Sequence, residues 1–464
     1  MRRFVRFVRG HQAGAVAAVV VLAVGAIVLT VRLQQRPDLR MLAIKASGYP
    51  SSLAELGASY QSIPPERNAA LICGRAFALP CFPGETNDTA NLSQREWLPR
   101  DGAPLKPADL AELEKLLELA APALELLRSV PPDPQARYPL DFSAGFGMLL
   151  PHLPCFKRAM RLFEAEMLRQ SARGRTAEAI AAVLGAERVR ATLEQEPIFI
   201  SKLVTLAGAE ILVRDIQYLA NAHRLTVDEL KALRSVTRSS RLEESLAQGL
   251  AAERVFGIAV FEDPSQLGFV GGGGAQPNAL GRSVLETLKL GGVFSRDRAY
   301  YLDQMSNYIH AAEQPFPLRW QLGKATSDNL APKKYYIISR MLMPSLGRAF
   351  TRHAEGVARL RGAQAALAVE AFRRENSESP PASLQTLAPK YLPSVPADPF
   401  DGNPLRYRAW ADGFVVYSLG SDQVDNGGVP AAKRNTNLQG TNGPPGDICF
   451  TVGKNAAAAE KGQE

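Results

Sequence analysis

The chain lacks most of the residue patterns from which reactions are assembled. Its 464 residues include only four cysteines and five histidines. Cys73, Cys81, Cys155 and Cys449 contain no Cys-x-x-Cys pair, which removes the usual basis for a zinc knot or a dithiol centre. His11, His152, His223, His310 and His353 keep no paired metal-ligand spacing. There is no nucleophile elbow, since Met343-Pro344-Ser345-Leu346-Gly347 lacks its first glycine. The run Gly271-Gly272-Gly273-Gly274 lacks the Lys-Ser/Thr of a phosphate loop. Glu164 with Glu166, and Glu243 with Glu244, point in different directions on a helix. They are expected on solvated faces rather than as an acid–base pair.

Charge is uneven. The net charge is +8, but residues 1–45 hold eight basic side chains and one acid, leaving only +1 for the remaining 419 residues. The basic excess therefore suits anionic lipid headgroups. No basic stripe with interleaved aromatics occurs elsewhere, so nucleic acid is not expected as a partner. One long uncharged run is present, the 22 residues between Arg9 and Arg32. A hydrocarbon core of about 30 Å takes roughly 20 helical residues. No small-x-small cleavage site follows the run, so an uncleaved single-span anchor is expected at 10–31. The basic tail 1–9 is expected in the cytoplasm and everything after the span outside it, in the inner membrane of a bacterium.

Residues 32–332 read as an α-helical body. Leu110, Leu113, Leu117, Ala120, Leu124 and Leu127 step by threes and fours, which puts them on one helix face. Pro122 is expected to kink that helix. Met160, Phe163 and Met167, a turn at 173–176, and Ile180, Val183 and Leu184 predict a helical hairpin. It is similar to a single tetratricopeptide unit, without a sustained period of about 34 residues. Glu196-Pro197 opens a helix apolar on most sides, and Thr226-Val227-Asp228-Glu229 has the form of a capping box. Cys73 and Cys81 flank a segment short enough to turn back. A disulfide and two small buried thiols are both open there.

The most informative stretch is 361–428. A helical run ends at Pro380-Pro381, and Asp401-Gly402-Asn403-Pro404 follows as turn chemistry. Leu405–Arg408 and Phe414–Ser418 alternate as two strands around Ala411-Asp412-Gly413, which predicts a hairpin. A long helix from about 333 to 375, bent near Pro344, is expected to pack on that sheet. The fold class is thus mainly α, with a small α+β domain at 333–453 and a disordered tail at 454–464.

This stretch resembles the globular head of the major pseudopilin of type II secretion systems. The resemblance implies a calcium loop built on Tyr417-Ser418-Leu419-Gly420-Ser421-Asp422 and Gly446-Asp447-Ile448. By position, Leu419 would offer its carbonyl, and Asp422 and Asp447 their carboxylates, with Asp425 as a local addition. The competing reading makes these aspartates turn formers that bind their own backbone. The residues after Gly10 do not follow the prepilin pattern, which has a Glu at the fifth position. The stretches 63–70, 137–153 and 196–207 also resemble a group of bacterial membrane-anchored proteins with a pseudopilin-like C-terminal region. The resemblance implies no reaction. It implies a single-pass extracytoplasmic structural or interaction protein with an envelope partner, in a type II secretion-like assembly. The alternative is an enzyme acting on an envelope polymer.

Overall fold

Helix lengths in this chain follow its punctuation. The leucine stripe at 110–127 is broken where Pro122 falls. In the computed structural model, α4 (Pro107–Leu119) ends at Ala120 and α5 (Ala121–Arg128) restarts there. Leu113, Leu117, Leu124 and Leu127 of that stripe are buried. The residues described are 38–82, 97–99, 102–238, 240–263, 293–330, 336–343, 346–430 and 446–453. The expected anchor at 10–31, the basic tail 1–9, the glycine run at 271–274 and the tail 454–464 lie outside them. Among the described residues no helix is long and apolar enough to cross a membrane.

The chain divides into two units, residues 1–51 and 52–464. The first contains α1 (Leu39–Ala46), whose N-cap Asp38 accepts a bond from the Arg40 amide. The second opens with α2 (Leu53–Ser59) and α3 (Ala69–Phe77) ahead of α4 and α5. Next come α6 (His152–Ala172) and α7 (Thr176–Ala191), the expected hairpin. Gly174 turns it with a φ of +72°, a conformation that glycine adopts without strain. Gly185 lets the pair approach closely, because a Cβ there would lie 2.6 Å from the Phe163 ring.

The apolar helix is α8 (Phe199–Ala222), which packs against α6, α7 and the later helices. The capping box of α9 (Val227–Val236) forms as expected, with Thr226 and Glu229 bonding reciprocally. Then follow α10 (Ser240–Glu262), α11 (Val293–Glu313), α12 (Leu318–Asp328) and α13 (Ile337–Leu342). The next, α14 (Leu346–Glu375), is the longest helix among the described residues.

β1 (Arg406–Trp410), β2 (Gly413–Ser418) and β3 (Ile448–Val452) form an antiparallel sheet in the order β1-β2-β3. The register pairs Trp410 with Gly413 and Phe414 with Val452. The hairpin was expected; β3 was not. Every residue of β2 is buried, because α14 packs on the strand and the turn at Gly428 lies against Val415 and Tyr417. Leu360, Ala363 and Leu367 of α14 share one core with Phe414, Val416 and Phe450 of the sheet. Leu113, Phe163 and Leu212 of the helical body belong to that same core.

The carboxylate expectation for α6 needs correction. Glu164 is wholly buried and Glu166 nearly so, rather than solvated. Arg161 holds Glu164 through two bonds of 2.7 and 2.6 Å. Arg128, Arg169 and Gln170 engage Glu166. The helix supplies Arg161 and Arg169 three residues from these acids, and Arg128 of α5 adds a third guanidinium, so their burial is compensated.

Candidate functional site

In the C-terminal sheet, the loop leaving β2 is organised by Asp398. Its carboxylate is fully buried. One oxygen accepts from the Phe400 amide at 3.0 Å and the Ser418 hydroxyl at 2.8 Å. The other accepts from the Leu419 amide at 3.0 Å and Arg406 at 2.8 Å. Sequence reading missed this residue. The signal was an aspartate between Pro396 and Pro399, where few backbone donors are local and a carboxylate must reach across the fold.

Of the residues expected to bind calcium, Leu419 touches this anchor through its amide. Asp422 accepts from the Val424 amide at 3.3 Å, and Asp425 from Gly427 at 2.8 Å and the Tyr417 hydroxyl at 3.2 Å. Asp447 accepts from Asn426 at 3.3 Å and Gly428 at 2.7 Å. Burial pushes the Asp447 carboxyl above its usual range, and the charges of Asp425 and Asp422 push it further. Loop amides thus engage all three acids, and Leu419 is buried. Among the described residues no cluster of three His, Cys, Asp or Glu side chains could hold a metal ion. One oxygen of the expected set, Asp422 Oδ2, is buried without a hydrogen-bond partner among the described residues.

A second polar centre lies where α6, α8 and α10 meet. Pro197 keeps residues 193–198 out of the helix and turns Glu196 inward, where it is fully buried. One Glu196 oxygen accepts from the Ser201 hydroxyl, and the other lies 2.9 Å from His152 Nε2. The Tyr138 ring stacks on His152 at 4.5 Å, and its hydroxyl is 2.9 Å from Thr192 Oγ1. The carboxylate stands between hydroxyl and imidazole, so the imidazole does not touch the hydroxyl it would have to deprotonate. This is a buried brace, not a nucleophilic triad.

Lys202, next to it, donates to the Glu194 carbonyl at 2.6 Å and to Gln248 Oε1 at 3.3 Å. Burial lowers its pKa to about 8, against the opposing pull of Glu196 and Glu194. Glu194 and Gln248 line an open polar cavity of about 500 Å³, together with Tyr60, Asp133 and Glu244. A further hydroxyl–imidazole contact joins Ser171 and His223 at 2.6 Å. Burial lowers the His223 pKa.

All four cysteines are free thiols. Cys73 and Cys81, for which a disulfide and two separate thiols were both open, are unlinked in this structure. Cys73 is instead fully buried on α3 among apolar neighbours, as in the small-thiol alternative, and burial raises its pKa. Comparison of the chain with protein-family models, with curated proteins and with solved structures finds no match.

Proposed function

We propose that this chain is a membrane-anchored, extracytoplasmic structural or interaction protein of the bacterial envelope, in an assembly of the type II secretion kind. One observation carries the preference for binding over chemistry. The buried ionisable groups at Glu196, Glu166 and Asp398 are engaged by fixed partners, whereas the accessible features are surfaces and open cavities. The anchor rests on the apolar run at 10–31 and its arginine flanks.

Two measurements test the reading. Protease added to intact spheroplasts is expected to digest the body, while a cytosolic control survives. Cross-linking in membranes, followed by detergent extraction, is expected to recover the same envelope partner from independent preparations. Survival of the body, or no reproducible partner, refutes it.

A second reading is an enzyme acting on an envelope polymer. Lys202, with its pKa near 8 and its contacts to the wall of the polar cavity, is the observation that favours it. Turnover of a purified envelope polymer by the full chain, lost in Lys202→Met, would establish that reading; no turnover would remove it.

A further inference from the structure

The first helix, α1 (Leu39–Ala46), has two apolar faces, and only one of them is covered. At 3.6 residues per turn Met41 and Ile44 fall on one side. Ile44 is buried and Met41 half-buried. Leu39, Leu42, Ala43 and Ala46 fall within ~100° on the opposite side. All four are exposed, Leu39 by 77% and Leu42 by 50%. Arg40 and Lys45, both exposed, lie on the two flanks between these faces, and α1 itself contains no acid.

An apolar stripe bordered on both sides by cations suits a helix lying in the plane of an anionic lipid surface. Its leucines then sit among the acyl chains and its cations among the head groups. A second copy of the chain fits the stripe poorly. Pairing two such faces would set Arg40 and Lys45 of one helix against those of the other, with no carboxylate on either helix to offset them. The reach also agrees. Residues 32–38 alone separate α1 from the expected anchor at 10–31, and these seven residues span at most about 25 Å.

We infer that α1 lies in the membrane interface, with Leu39 and Leu42 inserted among the acyl chains and Arg40 and Lys45 at phosphate head groups. The helix is a second hold on the bilayer beside the span. The inference rests on the proposed anchor for its tether, and the experiment lets the two fail separately.

The test uses the full chain reconstituted in vesicles of phosphatidylcholine and phosphatidylglycerol. A phosphatidylcholine with a diazirine in the upper part of one acyl chain is the probe, and adducts are mapped by mass spectrometry. Adducts are expected on residues 10–31 and on residues 39–46. The double variant Leu39→Asp/Leu42→Asp changes two exposed positions. It is expected to lower labelling of 39–46 at least about ten-fold and to leave that of 10–31 unchanged. Lys45→Gln is expected to lower labelling of 39–46 about five-fold in these vesicles, and not in phosphatidylcholine alone. Labelling of 10–31 without 39–46, or labelling of 39–46 that the double variant leaves unmoved, overturns the inference and keeps the anchor. Labelling of 39–46 without 10–31 removes the anchor and keeps the interfacial helix. No labelling of either overturns both. A dimer in detergent that the double variant splits, with 39–46 unlabelled in vesicles, would give this face to a second copy instead.

Discussion

His353 offers a quantitative handle on how the helical body tolerates acid. It lies on α14, only 5% exposed, with Nε2 donating to the Leu242 carbonyl at 3.0 Å and its ring stacked on Phe316. Burial lowers its pKa to about 4, and the guanidiniums of Arg319 and Arg361 add to the effect. A base whose folded pKa lies below its unfolded value of about 6.5 takes up its proton preferentially when unfolded. Its contribution to stability is therefore complete above pH 6.5 and is lost as pH falls toward 4. Between pH 7.5 and 4.5 the loss is roughly 2–3 kcal/mol. The wild-type curve alone will not display it. Burial pushes the Glu253 carboxyl up to about 7, and that group loses stability in the opposite direction, as pH rises through the same window. The observable is the difference between wild type and His353→Gln in urea unfolding. Gln can keep a donor toward Leu242 but does not titrate. The stability advantage of wild type should shrink by roughly 2–3 kcal/mol from pH 7.5 to 4.5. A difference constant to within about 0.5 kcal/mol would show that burial does not hold this imidazole neutral.

Asp398→Ala should cost about 3–5 kcal/mol in urea unfolding, because it strands two amides and a hydroxyl and removes one of the two acids on Arg406; a loss below about 1 kcal/mol would deny its anchoring role. Gly323→Ala places a Cβ 2.2 Å from the Phe350 ring, fully buried on α14, and should cost about 1–3 kcal/mol by the same assay. Cys73 should resist alkylation by iodoacetamide in the native protein and react only in denaturant; native labelling at a rate equal to that of Cys81 would contradict its burial. Calcium at millimolar concentration should leave the melting temperature unchanged, since loop amides already engage Asp422, Asp425 and Asp447. A rise that Asp422→Ala abolishes would support the calcium reading.

Local signals were legible wherever one stretch of chain decides the outcome. The Pro122 break, the Thr226–Glu229 box and the hairpin around Asp412 all form where turn and cap chemistry place them. What escaped depends on distant chain. Ile448–Val452 alternates too briefly to announce a strand, and only the free edge of β2 makes it one. Glu164 and Glu166 look like solvent-facing acids until α6 is wrapped by its neighbours. Their burial is set by tertiary contacts with Arg128 and Arg214 as much as by local spacing. Leu419, Asp422 and Asp447 of the calcium set came from resemblance, and Asp425 from its place in the same loop. Asp398 and Glu196, which organise the two polar centres, lie beside prolines, in stretches that read as a turn and as a helix start respectively.

The longest helix has a mechanical consequence. One side of α14 meets α8 and α9 while another carries β2 and β3, so the same rod is spine to both. A tug on the sheet would be transmitted through that rod straight into the helices, with no slack joint to absorb it. Nor can the sheet be cut away like a cassette: deleting residues 400–453 would strip Leu360, Ala363 and Leu367 of their cover and leave greasy surface facing water.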